Sequence, residues 1–384
     1  MTLLRRNTRR LAVVAAAVGL ATGPAVAGTL TPGPSFSHGD WELACDNTGT
    51  CRAVGYPPDT GRNGAAVLLT RPAGPHAPVS GRLMVQRYDL EHVPERLRLV
   101  IDGEDLGELA VGGRDDAALA PAQVDALLRA LVKDTAIVAI DEAQGRHLHV
   151  SDAGAAAVLL KMDEAQGRLD TPGALVRRGG RSEATVPAAR PVPVVRIPAL
   201  APTRPGDAAV GEDPALRMAL AASAGDHCDL INTEETHGTP VSIERLDDRH
   251  LLASTLCWRG AYNEGHGYWV IRDSAPYAPR LVTDSGSGHA DGVIHSDHKG
   301  RGLGDCWSFA SWAWNGSGFV AAGKSTTGMC RLMAPGGAWT LPTLVTGLRP
   351  ATRGPGRVLL PQELPERVIE RAGGLDVDDV PAGQ

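Results

Sequence analysis

The sequence predicts a mainly β protein with a few helices, organised as two disulfide-containing domains joined by a Pro-rich linker. Three observations carry this. Short apolar runs recur between turns built on Gly, Asn and Asp, the pattern of strands and hairpins. Pro187, Pro191, Pro193, Pro198, Pro202 and Pro205 crowd residues 181–213, a stretch that reads as neither helix nor central strand. Composition also changes across that stretch: residues 214–345 hold six of the seven Trp, 11 of the 15 aromatic residues and four of the six Cys.

The chain opens on Arg5, Arg6, Arg9 and Arg10, continues with an apolar run over 11–20, and reaches Ala25-Val26-Ala27 before Gly28. These are the parts of a secretory signal peptide over residues 1–27, too short to span a membrane. Thr8-Arg9-Arg10-Leu11 resembles a twin-arginine signal, but Ala12 is small for that position, which favours the Sec route. The expected location is periplasmic or secreted, after cleavage near Ala27. No later run reaches the roughly 18 apolar residues of a spanning helix. The signal holds four of the 38 basic residues and none of the 44 acidic ones, so the remainder (34 against 44) carries −10. That balance gives no footprint for nucleic acid or anionic lipid.

The first domain, 35–180, begins with a hairpin: Trp41 to Cys45 and Cys51 to Tyr56 flank Asn47-Thr48-Gly49. Residues 67–69 and 96–101 read as strands, the second ending at an Asp102-Gly103 turn. Pro121 starts a helix whose Val124, Leu127, Leu128 and Leu131 share one face. Ser151 or Asp152 caps a second helix lined by Ala155, Val158, Leu159 and Met162, which Gly167 ends. In the second domain, 214–345, Asp213-Pro214 starts a helix through Leu216 and Leu220. Strands follow at 251–257, 267–272, 280–283, 306–314 and 317–322, giving a mostly antiparallel domain. Asn315-Gly316 predicts a type I′ hairpin turn, and Trp312 and Trp314 share a strand face. The tail, 346–384, reads as loosely ordered apart from a short helix at 361–371.

Six cysteines allow fifteen pairings. The domain layout favours Cys45–Cys51 and Cys306–Cys330, leaving Cys228 with Cys257. A closed loop of about 25 residues is worth roughly 3–4 kcal/mol in the chain-entropy account.

Asp40-Trp41-Glu42-Leu43-Ala44-Cys45-Asp46-Asn47 with Cys51-Arg52-Ala53-Val54-Gly55-Tyr56 resembles the opening of a bacterial periplasmic family, domain of unknown function 1176. Leu256-Cys257-Trp258-Arg259-Gly260-Ala261-Tyr262-Asn263 is similar to a second signature of that family. Lys299 to Trp307 resembles a third, and Gly328-Met329-Cys330-Arg331 with Gly337-Ala338-Trp339-Thr340-Leu341-Pro342 a fourth. The likeness covers nearly the whole mature chain. The first domain also resembles the invasion-associated locus B proteins, which implies a small β-rich fold carrying helices. Neither resemblance implies a catalytic residue or a ligand.

Four motifs carry possible chemistry. Gly318 to Ser325 fits the P-loop pattern letter for letter, but the segment reads as a strand with no helix start behind it. Asp284-Ser285-Gly286 and Asp226-His227-Cys228 resemble serine-protease segments, with a spacing too short for two barrels. His289, Asp291, His295, Asp297 and His298 form a Gly-flanked loop whose three His are the candidate metal ligands, though the spacing fits no named site. Trp258, Tyr262, Tyr268, Trp269, Trp307, Trp312 and Trp314 suit either a core or a platform for sugar or peptide. The expected ligand-binding residues are Trp258, Arg259, Tyr262, Lys299, Arg301 and Trp307. The reading is therefore a non-enzymatic envelope protein, a binding or interaction module without cofactor. Its partner would be an envelope component, anionic or carbohydrate-like. The alternative is an exported hydrolase or metal-dependent enzyme using the His-rich loop 289–298.

Overall fold

The computed structural model describes residues 30–58, 64–88, 93–113, 115–236 and 238–351. The signal peptide expected at 1–27, the cleavage site expected near Ala27 and the helix expected at 361–371 lie outside them. The fold is mainly β, with four α-helices among the described residues.

The first half holds two antiparallel sheets. One orders β1-β2-β3-β4-β5-β8: β1 (Ser35–His38), β2 (Trp41–Cys45), β3 (Cys51–Gly55), β4 (Ala65–Arg71), β5 (Ser80–Val85) and β8 (Asp116–Ala118). The other orders β10-β9-β6-β7: β6 (Arg96–Ile101), β7 (Glu104–Ala110), β9 (Ile137–Asp141) and β10 (Arg146–Val150). α1 (Pro121–Ala130) packs against β5 and β6 and α2 (Ala155–Ala165) against β1, β2 and β3, so Leu43, Ala53, Val67, Leu69 and Leu83 bury one face of the first sheet. β6 and β7 join at Asp102 (φ 51) and Gly103 (φ 83), the paired positive φ of a type I′ turn. The expected cap of α2 is displaced. Its N-cap is Gly154 at φ 99, where a Cβ would lie 1.9 Å from the His38 carbonyl oxygen, and the Asp152 carboxylate accepts from Thr135 N–H instead.

The segment 181–213 is more regular than its prolines suggest. β11 (Val194–Ile197) fits between Pro193 and Pro198 and pairs in parallel with β21 (Gly347–Pro350), while α3 (Asp207–Glu212) starts just past Pro205. Pro ends elements here without preventing short ones between. β21 equally shows that the start of the tail is a strand.

The second half is layered. α4 (Pro214–Ala224) starts as predicted, with Asp213 accepting from Ala215 N–H. It covers one face of a sheet ordered β12-β13-β14-β15: β12 (Ser242–Arg245), β13 (His250–Arg259), β14 (Glu264–Arg272) and β15 (Arg280–Gly286). Period-2 alternation divides its side chains. Leu251, Ala253, Cys257, Trp269 and Ile271 meet α4; Leu252, Tyr268 and Val270 meet Ile294 and Trp314 of the next sheet. That sheet orders β16-β17-β18-β19-β20: β16 (Gly288–Ala290), β17 (Val293–Lys299), β18 (Trp307–Trp314), β19 (Phe319–Thr326) and β20 (Leu341–Leu344).

Two local expectations are corrected here. The His-rich segment is a hairpin, not a loop: β16 and β17 turn at Asp291 (φ 52) and Gly292 (φ 78), so its side chains alternate between faces. The 314–319 connection is no two-residue type I′ turn. Only Gly316 takes positive φ, and the Asn315 side chain accepts from Ser317 and Gly318 N–H across four residues. The P-loop-like stretch lies mainly in β19, and no helix follows it among the described residues.

The halves are joined by more than the linker. Residues 329–341 cross back to the first sheet, where Met333, Trp339 and Leu341 cover Ala44, Val54, Tyr56, Ala66 and Met84. Both faces of β2–β5 are therefore buried, which explains their almost unbroken apolar character. The three disulfides are Cys45–Cys51, Cys228–Cys257 and Cys306–Cys330. Among the described residues no helix is long and apolar enough to cross a membrane.

Candidate functional site

The β16–β20 sheet has an inner face against β12–β15 and an outer face. The two-residue repeat puts Val293, His295, Asp297 and Lys299 on the outer face of β17. Their partners on β18 are Ala313, Ser311, Phe309 and Trp307. One end of this face is roofed: Val293, Ala313 and Ala322 pack under Val195, Ile197 and Leu348 of β11 and β21. The other end keeps Trp307 and Phe309 half-buried. Their rings are nearly parallel, 6.2 Å apart at 8°. Lys299 places its ammonium 5.6 Å from the Trp307 ring centroid and makes no ion pair among the described residues. Asp297, across from Phe309, accepts no side-chain hydrogen bond from them either; burial raises its carboxyl above the ordinary value and lowers the His295 imidazole.

The edge of this surface is rigid. Asn263 in the β13–β14 turn donates to Lys299 O and accepts from Lys299 N–H, both at 2.9 Å. Tyr262, 47% exposed, reaches Gly300 O at 3.4 Å. Trp307 Nε1 donates to Gly304 O, and the Cys306–Cys330 bridge ties the loop to 329–333. Burial pushes the Asp305 carboxyl up, but its bonds from Arg301 and Leu332 N–H outweigh that and hold it below its ordinary value. Leu303 stands 55% exposed at the rim, its carbonyl accepting from Tyr88 of the first half.

The six predicted binding residues divide. Tyr262, Lys299 and Trp307 come together at this surface. Arg259 is taken by Glu235 and Glu264, and Arg301 by Asp305. Trp258 packs over Gly265 and against His298, away from the outer face. Of the remaining aromatics, Trp269 and Trp314 are fully buried and belong to the core. Phe309 and Ser325, its cross-strand partner on β19, were missed, although the Trp307-Ser308-Phe309 alternation is the signal that would have found Phe309; Asp297 was singled out only as part of the His-rich group.

The His cluster disperses. His289 Nδ1 lies 2.9 Å from Glu244 Oε2, His298 Nε2 3.3 Å from Glu264 O, and His295 faces the opposite side from both. The one metal-like grouping among the described residues, Asp305 with Cys306 and Cys330, has its sulfurs joined to each other. The protease-like segments do meet, but in the wrong order. Ser285 Oγ donates to Asp284 Oδ1 at 2.6 Å, and His227 Nδ1 lies 3.5 Å from Asp284 Oδ2. The carboxylate stands where a base would have to contact the hydroxyl.

With this geometry established, comparison with known proteins decides the family. Residues 35–346 match the family described as "Protein of unknown function (DUF1176)". The chain belongs to the DUF1176 family. It is also similar to the uncharacterized protein YpfG of Escherichia coli (strain K12), 27% identical over 313 residues, covering 73% of this chain and 84% of that protein. No solved structure matches it significantly. The DUF1176 match spans both sheets of the first half, the linker and the outer-face platform. Three disulfides are compatible with an extracytoplasmic protein.

Proposed function

We propose that this DUF1176 protein is an exported, non-enzymatic binding module of the bacterial envelope. Its binding surface is the open end of the outer β17–β18 face, and its partner is an anionic or carbohydrate-like envelope component. The observation that carries the reading is Lys299 over Trp307: a cation without a carboxylate partner among the described residues, on a half-buried ring, in a chain that is acidic overall. Aromatic faces supply apolar contact, and a charged donor supplies orientation.

The remaining parts of the reading follow the sequence. Residues 1–27 direct export to the periplasm or beyond and are removed near Ala27. Residues 35–180 form an invasion-associated locus B-like domain and 214–345 a Trp- and Cys-rich β domain, joined by 181–213. Separate apolar clusters around α1–α2 and around α4 support that division. The test is retention of the mature chain on an immobilised, protein-free envelope polysaccharide and lipid fraction. Binding that Trp307→Ala abolishes is expected. Equal retention of wild type and Trp307→Ala, or turnover of a model ester or peptide, would move the assignment to the hydrolase alternative.

A further inference from the structure

Resting on that reading, we infer that the platform takes one chemical class, an acidic glycan lying along Trp307 and Phe309 with a carboxylate against Lys299. Three features carry the inference. The first is shape. Two near-parallel, stacked rings 6.2 Å apart on one strand form a single aromatic ridge beside Lys299, an apolar surface that suits the C–H patch of a sugar ring.

The second is the polar frame. Lys299 and Asp297 are cross-strand neighbours of Trp307 and Phe309, and Ser325 of β19 flanks Phe309 on its other side. Lys299 donates only, and it makes no ion pair among the described residues. Asp297 is a half-buried carboxylate whose acceptor sites those residues leave unused. A ligand that satisfies both must carry an anion beside hydroxyl donors, as a uronic acid unit does. His295, the next residue along the same face towards the roofed end, adds a further polar group.

The third feature is what the surface lacks. β18 is paired along both edges, and past the three residues that pair with β16 the backbone groups of Asp297 and Lys299 on the free edge of β17 are taken by the Ser287 and Asn263 side chains, so no free ladder is available beside the rings to hold an extended peptide. Recognition must come through ring faces and side-chain tips. Nucleic acid, whose stacked bases would also suit the rings, is disfavoured by the −10 charge of the mature chain (34 basic against 44 acidic residues).

The experiment titrates the full mature chain with tetragalacturonate, with neutral cellotetraose and with tetraglutamate, following Trp fluorescence and heat of binding. Tetragalacturonate should bind at least about tenfold tighter than cellotetraose. Lys299→Gln should erase that difference while sparing weak neutral binding, and Phe309→Ala should weaken both sugars. Lys324→Ala, an exposed cation on the other face, should change nothing. Lys299→Gln serves as the surface variant if Phe309→Ala disturbs the sheet. Equal affinity for the acidic and neutral sugars, or tetraglutamate binding as well as tetragalacturonate, overturns the inference. Retention on the envelope fraction that depends on Trp307, with no oligosaccharide binding, overturns the glycan assignment and leaves the binding-module reading standing. Loss of both removes both.

Discussion

The backbone N–H of Met329 donates to Glu42 Oε1 at 2.9 Å, joining residues 287 apart in sequence. The Tyr56 hydroxyl, fully buried, hydrogen-bonds the same carboxylate oxygen, and Arg331 pairs with Asp40 alongside. Gly328 sits at φ 94 against Tyr56, where a Cβ would lie 1.9 Å from the hydroxyl. The return segment is thus fixed on the first sheet by polar contacts as well as by Trp339 and Leu341.

Glu42→Ala should cost about 1–3 kcal/mol, because it leaves the buried Tyr56 O–H without its acceptor and the Met329 N–H with only its longer bond to the Tyr56 oxygen. Burial raises the Glu42 carboxyl above 4.5, only partly offset by Tyr56 and Met329. A raised folded-state value means the favourable contribution is full below 4.5 and fades as pH rises through the higher folded value. Glu42→Gln keeps an acceptor and should flatten that dependence. Urea melts of the three proteins between pH 4 and 8 provide the check, and parallel pH profiles would refute the account.

Residues 214–345 made alone should behave poorly. Removing the first sheet uncovers Met333, Trp339 and Leu341, all buried in the full chain. The fragment is expected to bind a hydrophobic dye and to self-associate, whereas the full mature chain does neither. A monomeric, dye-silent fragment would show that 329–341 repacks by itself.

The sequence made local structure legible wherever a short-range rule decided it. Pro121, Asp213-Pro214 and Asp102-Gly103 mark their elements because a fixed φ, an N-cap or a paired positive φ acts within a few residues. The three disulfides followed from domain layout. What stayed hidden depends on distant partners. β17 escaped because His295, Asp297 and His298 read as loop polarity, although alternate positions are half-buried once β18 pairs beside them. β11 escaped because its partner β21 is about 150 residues away. For the candidate site, the residue types were legible but their engagement was not. Arg259 and Lys299 look alike in sequence, and only the fold gives Arg259 two carboxylates and Lys299 none among the described residues.

Lys324→Ala should leave stability unchanged and reveal no nucleotide site. Lys324 is an exposed residue within β19, not the end of a phosphate loop. A bound nucleotide would add about 2.7 kcal/mol of stability at a hundredfold excess over Kd. Melting with and without Mg-ATP measures this, and a wild-type shift that disappears in Lys324→Ala would restore the P-loop reading.

The exported protein should begin at Gly28. The proposed cleavage after Ala27 rests on a basic start, an apolar run and Ala25-Val26-Ala27. N-terminal sequencing of the periplasmic fraction tests it directly; an intact Met1 in the cytoplasm would defeat both the processing and the compartment.

Glu183 and Arg168 should govern acid stability. Arg168 is fully buried, with Nη1 3.1 Å from Glu183 Oε2, and its other nitrogens donate to Gly74 O and Gln166 Oε1. The Thr171 hydroxyl, the Gly173 and His76 N–H groups and Arg168 together hold the Glu183 carboxyl at about 2, against the 4.5 of a free group. A depressed value contributes stability that is complete above 4.5 and is lost as pH falls from 4.5 towards about 2. Glu183→Gln leaves the Arg168 charge buried without its counter-ion, which typically costs about 3–5 kcal/mol. Burial and the neighbouring Arg168 already pull Arg71 down to about 10, so this region has little capacity for a further unpaired cation. Chemical denaturation at pH 7 should show the loss, and the variant's stability should fall less steeply than wild type between pH 4.5 and 2. A Glu183→Gln protein as stable as wild type, with the same acid slope, would mean that the pair contributes nothing to holding 166–186 against the first sheet.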